Sequence, residues 1–136
     1  MSTYISRATR KLVMERAGHR CEYCRVLEYL SSFGYHIDHI IGVQHGGLNS
    51  LNNFAYVCSS CNWKKGPNIS SILHLEGPLI PLFNPRILDW FEHFEVQKGV
   101  LKAKSSIAEV TINLLELNNE NKIEERLEMM IAGFYP

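Results

Sequence analysis

Long apolar runs are missing from this sequence. No stretch of its 136 residues approaches the roughly 18–20 apolar positions that a membrane-spanning helix needs, so no membrane partner is expected. The opening segment, MSTYISRATRKLVMERAG, lacks the apolar centre of a secretory signal. That leaves the cytoplasm as the expected location. Cysteine occurs only four times, always in C-x-x-C pairs, Cys21/Cys24 and Cys58/Cys61. With no mark of export, a disulfide framework is not the expected use of these thiols. Internal repeats and low-complexity tracts are absent as well.

Net charge is also absent, which at first argues against nucleic acid. The two halves differ, however. Residues 1–68 carry eight Lys/Arg against four Asp/Glu, a balance of +4, and residues 69–136 carry six against ten, a balance of −4. Such asymmetry suggests a basic working half and an acidic remainder. The chain is long enough to bury a core of its own. One domain is expected: a working unit over 1–68, and a C-terminal extension over 69–136 that packs on it and does not fold independently.

Two C-x-x-C knuckles in an unexported chain suit a tetrahedral Zn²⁺ site. A redox pair would instead place one C-x-x-C at the start of a helix after a strand. The first knuckle follows a segment, 6–17, whose apolar positions recur at helical spacing. Ser6 is its candidate cap and Gly18 its stop. YHIDHII then reads as a strand, on which His36 and Asp38 share a face. His39 stands where the strand gives way to the glycine-bearing loop GVQHGGLNSLNN. FAYVC predicts a second, antiparallel strand. A short helix is expected from Asn62 to Gly66, with Trp63 packed on the knuckles. Three prolines, Pro78, Pro81 and Pro85, predict an irregular wrap. FEVQKGVLKAKS predicts a hairpin turning at Lys98-Gly99. Two short helices, near 106–117 and 122–132, should follow, joined by an Asn-rich turn.

The central residues suggest chemistry on phosphate esters. A hard divalent cation takes oxygen ligands and keeps water sites open. Asp38 offers a carboxylate, Asn62 an amide oxygen and His36 an imidazole. Free imidazole titrates near pH 6.5, so a histidine such as His39 can take a proton from water.

In order, spacing and residue type the stretch resembles the HNH endonuclease family. The family pattern runs C-x-x-C, D/E-H-I/V, G-G, N-L, C-x-x-C-H/N and K-G. Its counterparts here are Cys21 to Cys24, Asp38-His39-Ile40, Gly46-Gly47, Asn53-Phe54, Cys58 to Cys61 with Asn62, and Lys65-Gly66. The match covers about residues 15 to 66. A weaker likeness to small bacterial HNH proteins extends through ERAGHRCEYC and LFNPR.

The resemblance implies an α+β fold: a ββα-metal core with an N-terminal helix and an extension of a hairpin plus two short helices. It implies a metal-dependent hydrolase of DNA phosphodiester bonds. His39 would be the general base, and Asn53 the residue that holds the loop behind it. Asp38 and Asn62 would hold the catalytic Mg²⁺ or Mn²⁺, with His36 as a further ligand. The four cysteines would hold structural Zn²⁺, and Lys64 and Lys65 would contact phosphate. DNA is the expected partner and RNA the alternative. Departures from the pattern are Phe54 in place of Leu and Asn62 in place of the commoner His. A non-catalytic zinc module that binds nucleic acid or protein is the rival reading.

Overall fold

Ser6 starts the first helix. In the computed structural model, which describes residues 4–136, its hydroxyl accepts from the backbone N–H of Thr9 and caps α1, Arg7–Arg16. Gly18 ends that helix with a positive φ of 63°, as a glycine past a helix end should. The first knuckle follows, and then β1, His36–His39. After the loop comes β2, Phe54–Val57. The strands pair antiparallel, with His36 opposite Val57, Ile37 opposite Tyr56, Asp38 opposite Ala55 and His39 opposite Phe54. All four residues of β2 are buried. That burial reflects cover on both faces, for α1 packs against β2 while α2, Ser59–Lys65, packs against β1.

The helix α2 starts three residues earlier than expected, so the second knuckle is part of it. Cys58 is its cap: the thiol sulfur accepts from the Cys61 N–H, doing the work of a capping hydroxyl. Trp63 departs from expectation too. It does not pack on the knuckles but stands 83% exposed on the outer side of α2. With Cys61 and Lys65 turned inward, the 3.6-residue period leaves position 63 facing out.

The remaining elements cover the core. Short strands β3, Ser70–Ser71, and β4, Ile80–Pro81, pair within the proline-rich wrap. A one-turn helix α3, Trp90–His93, leads into the hairpin of β5, Phe94–Gln97, and β6, Val100–Ala103. Lys98 and Gly99 both take positive φ, 51° and 81°, the signature of the tight turn read from the sequence. Helices α4, Ser106–Leu115, and α5, Glu120–Ile131, complete the chain. Arg126 of α5 is fully buried and donates to the carbonyls of Gly99 and Leu117, at 2.7 and 2.6 Å, pinning the hairpin turn to the end of α4. The core is one cluster that runs from Val13, Tyr23 and the cysteines to Phe83, Trp90, Phe94 and Met129. The architecture is therefore α+β with a ββα centre, as the sequence implied.

Candidate metal and phosphodiester site

The four cysteine sulfurs lie within 4.8 Å of one another, and all four residues are buried. Cys24 Sγ and Cys58 Sγ are 3.8 Å apart. A Zn–S bond of about 2.3 Å in a tetrahedron gives an S···S edge of about 3.8 Å, so the spacing fits one zinc ion and is far too wide for a disulfide. In each knuckle the second cysteine's N–H points at the first one's sulfur: Cys24 N at Cys21 Sγ, 3.5 Å, and Cys61 N at Cys58 Sγ, 3.4 Å. The donor set is closed, with no open position for chemistry, which marks a structural rather than a catalytic metal. Zinc is the group these residues suit.

A residue from far along the chain joins this cluster. Lys122 of α5 is buried and donates to Cys58 Sγ at 3.1 Å. Burial alone would lower its pKa, but the facing thiolates of Cys24, Cys58 and Cys61 outweigh that and hold it above its ordinary value. No sequence motif marks Lys122, since it is 64 residues from its partner.

The second constellation forms where β1 meets α2. His36 Nε2 lies 3.0 Å from the Ser59 hydroxyl at the start of the helix. Asp38 Oδ2 lies 2.9 Å from Lys65 Nζ at its end. Ser59, Asn62 and Lys65 follow one another at three-residue spacing, along one side of the helix. Asn62, half-buried, therefore lies opposite the interval between His36 and Asp38.

Asp38 is 7% exposed, and burial pushes its pKa up, while the Lys65 ammonium and His39 pull it down. Among the described residues Lys65 is the one charge in an ion pair with it. No backbone N–H serves Oδ2, and no protein group among the described residues bonds Oδ1. A carboxylate, an amide oxygen and an imidazole are donor types that a hard divalent ion can take. Lys65 itself is 2% exposed and also reaches the carbonyls of Ile40, 3.2 Å, and His39, 3.4 Å. The expected phosphate contact at Lys65 does not suit this position: a buried ammonium tied to β1 has no face to offer a ligand. Lys64 is at the surface and pairs with Glu116.

His39 points to the other face of the strand, its ring edge-on to Phe54 at 5.3 Å. Its Nε2 lies 2.7 Å from the Asn49 amide oxygen. Asn49 in turn donates to the Tyr4 carbonyl at 3.1 Å. Asn49 was not singled out in the sequence, where NSLNN offers three asparagines without a rank. The structure distinguishes them by partner. Asn53 accepts from Ile41 N at 2.8 Å and donates to the carbonyls of Ile41 and Leu48, each at 2.9 Å. It closes the loop after His39, while Asn49 holds the imidazole.

These features define a class: a ββα unit clamped by a four-cysteine knuckle pair, with histidines, a buried aspartate and asparagines at the hairpin. Residues 21–68 match the family model described as HNH endonuclease. That segment contains both knuckles, the hairpin and α2, the same stretch that carried the motif. No match was found among curated proteins or among solved structures. No helix among the described residues is long and apolar enough to cross a membrane.

Proposed function

We propose that this chain is a metal-dependent endonuclease that hydrolyses DNA phosphodiester bonds. The observation that carries the reading is the pairing of two arrangements on one hairpin. His36 meets Ser59 and Asp38 meets Lys65 along the seam of β1 and α2, with Asn62 between those two helix positions in the sequence, and an imidazole held by Asn49, His39, stands at the strand's end. The likeness to a family of nucleases supports the same conclusion.

Each residue then has a task. With the Asn49 oxygen accepting, His39 Nε2 carries its proton and Nδ1 is left as the basic nitrogen. Nδ1 takes a proton from water, and the hydroxide attacks phosphorus in line with the 3′ oxygen. The products carry a 5′-phosphate and a 3′-hydroxyl. Asp38, Asn62 and His36 would hold a divalent ion, which when bound would neutralise charge developing on the phosphate and leaving oxygens. Lys65 pairs with Asp38 and ties the end of α2 to β1. The cysteines hold structural zinc and take no part in the reaction.

A non-catalytic zinc module is the second reading. The Lys65 pair favours it, because an ammonium already faces one side of the only buried carboxylate at the site. A plasmid assay separates the two. With Mg²⁺ or Mn²⁺ the purified chain should nick supercoiled DNA. His39→Ala should remove at least the about 10²–10⁴-fold that a positioned base supplies while the circular dichroism spectrum is unchanged. Equal nicking by that variant would sink the catalytic assignment.

A further inference from the structure

Both lysines expected to meet phosphate are engaged by protein carboxylates. The basic half of the chain presents its charge elsewhere. Arg7, Arg10 and Lys11 lie exposed on α1 and, with Ile37 and Tyr56, line a shallow groove of about 270 Å³ between that helix and the hairpin. Neither the Arg7 nor the Arg10 guanidinium has a hydrogen bond or ion pair among the described residues. Lys11 makes only a loose, exposed pair with Glu15 at 3.9 Å. The acid beneath the groove, Glu28, is already in use: its Oε2 accepts from Tyr35 N at 2.9 Å and from the Tyr56 hydroxyl at 2.7 Å.

The groove runs into the His39 side of the hairpin. Side chains two apart on a strand share a face, about 7 Å from one another. Ile37 therefore places the groove on the face of His39, with Tyr56 and Phe54 directly across from them. A second link runs through the backbone. Asn49, which holds His39, also bonds the Tyr4 carbonyl, two residues before the cap of α1. Arg7 and Arg10, three apart on α1 and so neighbours on its surface, put two guanidiniums with no partner among the described residues in the groove beside the face that carries the proposed base, a charge arrangement suited to a phosphate backbone.

We infer that DNA bound at His39 continues over α1, with its phosphate backbone on Arg7 and Arg10 and Lys11 at the flank. This rests on the endonuclease reading above. The contacts would position the duplex without reading its sequence.

Binding of full-length protein to duplex DNA tests this across a salt series, using His39→Ala as the parent so that the probe stays intact. The pair Arg7→Ala/Arg10→Ala should bind at least 10-fold more weakly at low salt. It should also flatten the slope of log K against log salt by about 1.8, at about 0.9 per phosphate lost. Lys98→Ala/Lys102→Ala, on the hairpin that packs against α4, removes the same charge and should leave the slope unchanged. An unchanged slope in the arginine pair, or an equal drop in the lysine pair, would overturn the α1 surface. Plasmid nicking by the wild-type chain would show in either case that the endonuclease reading survives. If the wild-type chain does not nick and the parent does not bind, the endonuclease reading fails and the α1 surface with it.

Discussion

At the scale of single residues, the site depends on two side chains whose roles come from what they touch. Asn49 is the first. Its amide oxygen faces His39 Nε2 and its nitrogen is anchored on Tyr4, so the imidazole is held by a group that is itself held. Asn49→Ala frees the ring to rotate and change tautomer. Nicking should then fall about 10-fold or more, a part of the base's contribution, with the melting temperature little changed. Asn49→Asp should lower it less, because the acceptor remains. Lys65 is the second. Lys65→Met would leave the Asp38 carboxylate buried and uncompensated. Breaking a buried pair in this way costs about 3–5 kcal/mol, measurable as a lower urea midpoint. The double change Lys65→Met/Asp38→Asn should recover much of that stability and none of the nicking. Recovery of nicking would remove Asp38 from the metal site. The sequence named Asp38 and Lys65 separately, from the motif. It had no means of showing that they face each other, because a strand residue and a helix residue 27 positions apart meet only through the fold.

At the scale of elements, the parts best marked in the sequence are those with local causes. The cap at Ser6 and the turn at Lys98-Gly99 each follow from residues within a few positions, and β1 and β2 from the pattern inside each strand. The start of α2 was misplaced because a cysteine does the capping there, a role that the zinc spacing hides. Gly47 shows how a motif letter becomes geometry. A Cβ on it would sit 1.7 Å from the Ile41 carbonyl and 2.9 Å from Asn53 Nδ2. The loop between the strands closes only because no side chain is present at that crossing. Gly47→Ala should destabilise by about 3 kcal/mol or more, the upper end for ordinary substitutions, and should disturb His39 with it. Amide exchange would show loss of protection at Ile41, whose N–H bonds Asn53. Helix α5 has the opposite character, for nothing local foretells its hold on the zinc site. Lys122→Met removes the N–H···S donor and one compensating positive charge. Zinc should pass to a chelator about 10–100-fold more readily, the usual cost of losing a partner behind a metal ligand. Lys122→Arg, which keeps charge and donor, should fall between. An unchanged release rate in Lys122→Met would show the contact to be incidental.

At the scale of the whole molecule, the division at residue 68 marks charge and motif but not packing. The Trp90 indole donates to the Tyr23 carbonyl at 2.9 Å, inside the first knuckle. Arg86 pairs with Glu22, and the Tyr135 hydroxyl reaches the Cys24 carbonyl at 3.0 Å. Together with Lys122, these contacts bring four separate parts of the acidic half onto the zinc-bearing segment. Composition could not reveal this, because it records apolar content and not which surfaces meet. A chain ending at residue 68 would keep every motif residue and expose Tyr23, Val26 and Ile40, which are buried in the full chain. Its two-stranded hairpin would then have too little cover, since an isolated pair of strands is marginal in water. The truncated chain should therefore bind zinc through its knuckles yet show no cooperative unfolding transition and no nicking. The full chain should melt in one transition and lose it when zinc is stripped, because a structural metal contributes its binding free energy to folding. A cooperative melt of the 1–68 fragment would instead make the C-terminal half an appendage, and the contacts around Tyr23 and Cys24 would be docking rather than core.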